Sequence, residues 1–203
     1  MIKNIIFDIG NVLSDFRWKE AILECGFSPE VNTVLGDRIF LSDLWPEYDR
    51  GVMGDETVTE AIRKNLSGYE REFEELYKHF GEFVRERDYS LPLFEKLKQD
   101  GRMLYILSNY GDTMYRLNAA FFHFLKAADG AVFSYREKLL KPDRALYQIL
   151  LDRYGLIPDE CLFLDDTQKN VEGARVLGIH AENADSLETI LNALHKYGIN
   201  ITM

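Results

Sequence analysis

The chain has 203 residues, enough to bury a full core in one domain or two. Its share of hydrophobic residues, 46%, and of charged residues, 29%, is that of an ordinary globular protein, and no apolar run is long enough to span a membrane. The formal net charge is −10 and no Lys/Arg-rich run stands out, which sets nucleic acid and anionic membranes aside as partners.

Two cysteines, Cys25 and Cys161, do not make the framework of a disulfide-stapled secreted protein. The first strand follows almost at once on Met1, so no signal peptide is expected and a cytoplasmic location is inferred. Oligomeric state is not legible, and monomer and homodimer both remain open.

Ile5, Ile6 and Phe7 form an apolar run that ends in Asp8, followed by Ile9, Gly10 and Asn11. Such a run is expected to be a strand buried on both faces, as in a parallel sheet. From about Phe16 to Arg87 no convincing strand is seen. Ala61, Ile62 and Leu66, then Phe73, Leu76, Tyr77, Phe80 and Val84, recur at helical spacing, with Gly51, Gly54, Gly68 and Gly81 as breaks.

After Ser90 strands and helices alternate. Leu93, Phe94 and Leu97 mark a helix that stops at Gly101, and Met103–Leu107 is a strand ending at Ser108 and Asn109. A helix is expected through Met114, Leu117, Phe121 and Phe122, with the aromatics in the core, then a short strand at Ala131–Phe133. A helix opens near Pro142, a residue suited to a first turn, and runs to Tyr154. Leu162–Leu164 is a strand ending at Asp165 and Asp166, a helix follows to Gly178, and a strand at Ile179–Ala181 and a helix through Leu194 close the series. The expected fold class is α/β: a Rossmann-like, three-layer parallel sheet with a helical insertion after its first strand. The expected division is a core of residues 1–14 and 90–203 and an all-helical cap of residues 15–89.

In a parallel sheet the C-terminal strand ends share one edge, where ligands bind. Asp8, Ser108, Asn109, Lys141, Asp165 and Asp166 all fall there. Crowded carboxylates repel, and a hard cation such as Mg²⁺ relieves them. A hydroxyl on Ser108, backbone N–H groups of the Gly10–Asn11 loop and the Lys141 ammonium suit a phosphoryl group, and a carboxylate such as Asp8 can attack it. Taken singly, each has a plainer reading: Asp8 as a turn residue, Ser108 and Asn109 as a helix cap, the acidic pair as a helix start, Lys141 as a surface lysine. The four histidines, His79, His123, His180 and His195, show no metal or triad spacing and read as structural.

These four segments, in order, resemble the four motifs of the haloacid dehalogenase-like hydrolase superfamily, in its subfamily with a helical C1 cap. Asp8 matches the nucleophile, Ser108 the phosphate-binding hydroxyl, Lys141 the lysine of the third motif, and Asp165-Asp166 with Asn170 the acidic fourth motif. The resemblance implies Mg²⁺ held by Asp8, the Gly10 carbonyl and Asp166, with Asp165 acting through water or on Lys141. It further implies that Asn170 orients the acidic loop and that Asn11 and Asn109 contact substrate.

Most phosphatases of that superfamily carry a second Asp, the general acid–base, two residues after the nucleophile, where this chain has Gly10. The form Phe-Asp-x-Gly-Asn-Val resembles bacterial phosphatases of small sugar phosphates such as glucose 1-phosphate. Asp15 is a candidate replacement for the missing acid. In the helical insertion Trp18, Trp45, Tyr48, Arg17 and Arg50 are candidates to face substrate. The leading expectation is a Mg²⁺-dependent phosphatase of a small phosphorylated metabolite. The alternatives are a phosphomutase, or a weakened phospho-ligand binding or regulatory protein; a metal-free haloacid dehalogenase fits the acidic pair less well.

Overall fold

Ile5 and Phe7 point into one hydrophobic core while Ile6 points into a second, as the alternation of a strand requires. This strand, β1 (Asn4–Phe7), is the centre of a five-stranded sheet, so both of its faces are covered and all four of its residues are buried. The computed structural model describes residues 1–203, the side chain of Asp55 excepted.

The elements run in this order: β1, β2 (Ser14–Phe16), α1 (Trp18–Glu24), α2 (Pro29–Leu35), α3 (Leu44–Arg50), α4 (Asp55–Asn65), α5 (Glu70–Lys78), β3 (Val84–Glu86), α6 (Ser90–Gln99), β4 (Met103–Ser108), α7 (Asp112–Asn118), β5 (Gly130–Phe133), α8 (Ser134–Glu137), α9 (Arg144–Tyr154), β6 (Cys161–Asp165), α10 (Gln168–Arg175), β7 (His180–Asn183) and α11 (Leu187–Lys196). The sheet order is β5-β4-β1-β6-β7 and every pairing is parallel. Strand order reverses at β1, so the crevice opens beside Asp8. One core packs α9 and α10 against the sheet through Leu146, Leu150, Val171 and Ala174. The other takes α6, α11 and the helical insertion, with Phe94, Leu97, Ile190 and Leu194.

Four expectations are corrected. The stretch from Phe16 to Arg87 is not free of strands: β2 and β3 form an antiparallel ribbon at the two stems of the insertion, with Ser14 opposite Glu86 and Phe16 opposite Val84. Three-residue strands are too short to show a period of two. The helix after Ser108 is short: α7 ends at Asn118, whose side-chain amide donates to the Met114 carbonyl, and 3₁₀ turns carry the chain on. Phe121 is therefore not a core residue but 68% exposed, while Phe122 and Phe124 are buried. Pro142 precedes the helix it was expected to open: α9 starts at Arg144, and the Asp143 carboxylate caps it by accepting from Ala145 N–H at 2.9 Å.

Candidate active site

Asp8 follows β1 directly and its N–H donates to the Leu164 carbonyl at 2.9 Å, which fixes it beside the end of β6. The turn beyond it carries Asn11 at φ +55°, the left-handed region that Asn tolerates better than most side chains. Ser14 Oγ and the N–H groups of Leu13 and Ser14 all donate to the Ile9 carbonyl, closing the loop.

Lys141 is the hub. Its side chain is almost wholly buried, with Nζ at 2.9 Å from Asp8 Oδ1 and 2.6 Å from Asp165 Oδ2, and it donates to the Leu107 carbonyl at 3.0 Å. Burial works to lower the lysine's pKa, but the charges of Asp165 and Asp8 outweigh it and hold the ammonium above its ordinary value. Burial pushes the Asp8 carboxyl up and Asp165 adds to it, while Lys141 and, less, the Ser108 hydroxyl oppose it; that hydroxyl donates to the Asn109 carbonyl at 3.5 Å. Asp165 is fully buried and satisfied by protein donors: Thr167 N–H at 2.8 Å, Asn170 Nδ2 at 3.0 Å and Lys141. Its position is that of a lysine holder and loop anchor. The acidic loop is held by Asn170 Nδ2 on the Asp165 carboxylate and by Asn183 Nδ2 on the Asp166 carbonyl at 2.7 Å.

The two asparagines expected to touch substrate use their amides otherwise. Asn11 donates from Nδ2 to Asp166 Oδ2 at 3.0 Å and accepts from Phe16 N–H at 3.4 Å. Asn109 clasps the Lys141 backbone, accepting from its N–H at 2.8 Å and donating to its carbonyl at 3.2 Å. Both residues still line the cavity. Their position in the chain could not show which way the amides turn.

Asp8, Asp165 and Asp166 bring one carboxylate oxygen each within 4.8 Å of one another. Asp8 Oδ1 is buried with no hydrogen-bond donor among the described residues, so the ammonium nearby does not satisfy it with good geometry. An all-oxygen set with an orphaned carboxylate oxygen fits a hard dication such as Mg²⁺.

The cavity above has a volume of about 230 Å³ and is lined on its floor by Asp8, Gly10, Lys141 and Asp166. Its walls are Phe16, Trp45, Val84, Tyr110 and Met114, with Asp49 among them. Trp45 is held by Phe40 at 4.7 Å and Tyr48 at 5.2 Å between ring centroids. Of the insertion residues singled out in the sequence, Trp45 alone lines this cavity. Trp18 stacks on Phe40, and the Tyr48 hydroxyl accepts from Met114 N–H at 3.1 Å. Arg17 pairs with Glu24 at 2.8 Å and Arg50 with Glu47 at 3.4 Å. Asp15 is turned to another groove, where it pairs with Arg87 at 2.6 Å, so it does not replace the missing acid.

Asp49 was missed. It lies on α3 with no motif around it, and the packing of that helix onto α7, α8 and the loop after β4 brings it to the cavity. Burial in the cavity wall, with the charge of Asp8 adding, pushes its carboxyl up to about 8.

A model of the haloacid dehalogenase-like hydrolase family matches residues 2–178. Over 69 residues, 34% of this chain, the sequence is 41% identical to mouse "Acyl-CoA dehydrogenase family member 10", of which it spans 6%; a second relative is spanned over 34% of its length. It is 28% identical to "Phosphatase MT3486" of Mycobacterium tuberculosis, across 91% of this chain and 88% of that protein. The HAD family enzyme bt-2542 of Bacteroides thetaiotaomicron, solved with magnesium and inorganic phosphate, shares the fold with a TM-score of 0.73 at 22% identity, across 90% of this chain and 94% of that one. The chain belongs to the haloacid dehalogenase-like hydrolase family.

Proposed function

We propose that this hydrolase is a Mg²⁺-dependent phosphatase of a small phosphorylated metabolite, with sugar phosphates as the first class to try, working through an aspartyl-phosphate on Asp8. The observation that carries the reading is the buried set of Asp8, Lys141 and Asp165, joined by Asp166 around one crevice. Asp8, the Gly10 carbonyl and Asp166 would hold the ion. When bound, it supplies charge neutralisation for the carboxylates and the phosphoryl oxygens.

Asp8 attacks phosphorus, and the bond to the leaving oxygen breaks as that oxygen takes a proton. Water then attacks the aspartyl-phosphate and releases phosphate and Asp8. Lys141 and the Ser108 hydroxyl offset the phosphoryl charge, and Asp165 keeps the ammonium in place. In this reading residues 15–89 form a cap over a core of residues 1–14 and 90–203, with Trp45 and Phe16 shutting water out. The relative named as a phosphatase in Mycobacterium tuberculosis supports phosphoester chemistry. The acidic cluster favours it over metal-free dehalogenation. Two free cysteines and a net charge of −10 accord with a cytoplasmic enzyme.

Purified protein with Mg²⁺ is expected to release phosphate from p-nitrophenyl phosphate and from sugar phosphates. Asp8→Asn is expected to abolish release, and full activity in that variant would overturn the mechanism.

A further inference from the structure

We propose that Asp49, carried on α3 of the helical insertion, is the acid–base catalyst that stands in for the side chain missing at Gly10. The proposal rests on the phosphatase reading above.

Asp49 shares the cavity wall with Trp45 and Tyr110, facing a floor that includes Asp8 and Lys141. Its backbone carbonyl accepts from Ser134 Oγ at 2.6 Å, and the Gly111 N–H works to lower the pKa of its carboxyl. The rest of the helix is held as firmly. Tyr48 Oη accepts from Met114 N–H, Lys138 Nζ donates to the Gly51 carbonyl at 2.6 Å, and the ring of Tyr48 lies so close to Gly111 that a Cβ there would overlap it. The helix that carries Asp49 is therefore anchored to α7, to α8 and to Gly111 in the loop after β4.

Among the described residues no cation forms an ion pair with this carboxyl. Lys141, the cation that acts on it, is already shared between Asp8 and Asp165. Nor does Asp49 belong to the carboxylate cluster that fits the ion. Burial in the cavity wall pushes this carboxyl up from the ordinary carboxylate range, the direction that suits a general acid. Beside it the Tyr110 hydroxyl is buried with no hydrogen-bond partner among the described residues, which leaves a second neutral donor on the same wall. At Gly10 itself there is no side chain to do this work, and Asp15 is tied to Arg87 elsewhere.

The step balances. As Asp8 bonds to phosphorus and the bond to the leaving oxygen breaks, the Asp49 proton passes to that oxygen. The Asp49 carboxylate then takes a proton from the water that attacks the aspartyl-phosphate, which frees Asp8 and restores the acid.

The test uses Asp49→Asn with two esters. p-Nitrophenyl phosphate loses a phenolate that needs no proton, whereas an alkyl ester such as glycerol phosphate does need one. Asn keeps the size of the side chain, and retained binding of inorganic phosphate with Mg²⁺ checks that the site is intact. The variant is expected to lose about 10²–10⁴-fold in turnover of the alkyl ester. With p-nitrophenyl phosphate it is expected to give a rapid burst of nitrophenolate near one per active site, then a slow steady state as the aspartyl-phosphate accumulates. Equal losses on both esters without a burst, or no loss on either, would overturn the assignment of Asp49. If the wild-type protein released no phosphate from either ester, the phosphatase reading would fall and this proposal with it.

Discussion

Lys141 joins two buried carboxylates of the site. Its ammonium is buried between two carboxylates, an arrangement whose desolvation cost is offset only because Asp165, Asp8 and the Leu107 carbonyl surround it. Lys141→Met would leave two buried acids without their cation. It is expected to destabilise the fold by about 3–5 kcal/mol at neutral pH, measurable by urea unfolding, and to remove activity. An unchanged unfolding midpoint would contradict a stabilising role for the Lys141 ammonium between these carboxyls. Residue identity at the strand ends was legible because parallel strands deliver their last residues to one edge. Side-chain direction was not. Asn11 and Asn109 sit next to expected phosphate ligands in the chain, yet their amides serve Asp166 and the Lys141 backbone. Asp49, which no motif marks, faces the cavity.

Among the elements, the core strands could be read because each is an apolar run ending in a polar residue, and the helices of the second half because their apolar spacing is regular. The ribbon of β2 and β3 could not, since its pairing joins segments about seventy residues apart and each strand has three residues. The ribbon ties the two stems of the insertion together, and Arg87 beyond it reaches Asp15 and the Asp185 carbonyl. A separate junction joins β7, α10 and α11 through Glu182. Burial works to raise the pKa of this carboxyl, but Lys196 at 2.7 Å, Tyr197 at 2.8 Å and Arg175 at 3.6 Å outweigh it, and the net shift is downward. A group depressed on folding contributes stability above its unfolded value, 4.5, and loses it as pH falls through the folded value. Glu182→Gln is therefore expected to cost about 1 kcal/mol at neutral pH, with the gap to wild type closing in acid below that range. Denaturation curves at both pH values check this, and a gap that widens in acid would contradict the sign.

At the scale of the whole molecule, one polypeptide crosses the sheet edge twice. It leaves after Asp8, builds five helices, and returns through β3 to resume the sheet with α6 and β4. That route brings an insertion helix, α3, against the loop after β4 and over the crevice at the switch point of the sheet. The family match over residues 2–178 spans both parts. The alternation of strands and helices made the sheet readable, and the gap between the first two motifs made the insertion readable. How the two parts meet depends on contacts such as Tyr48 with Met114 and Ser134 with Asp49, which leave no periodic trace. In the proposed mechanism this meeting makes the reaction possible: the sheet edge supplies nucleophile, lysine and ion ligands, and the insertion supplies the acid and the apolar walls.

Everything in that mechanism turns on phosphorylation of Asp8. It can be caught directly by an acid quench during turnover with Mg²⁺ and a phosphate monoester, followed by hydroxylamine treatment and mass spectrometry of the peptides. A hydroxamate is expected at Asp8, dependent on substrate and Mg²⁺ and, with p-nitrophenyl phosphate, enriched in Asp49→Asn. A protein that turns over its substrate with no adduct at Asp8, or with one at another residue, would contradict the mechanism.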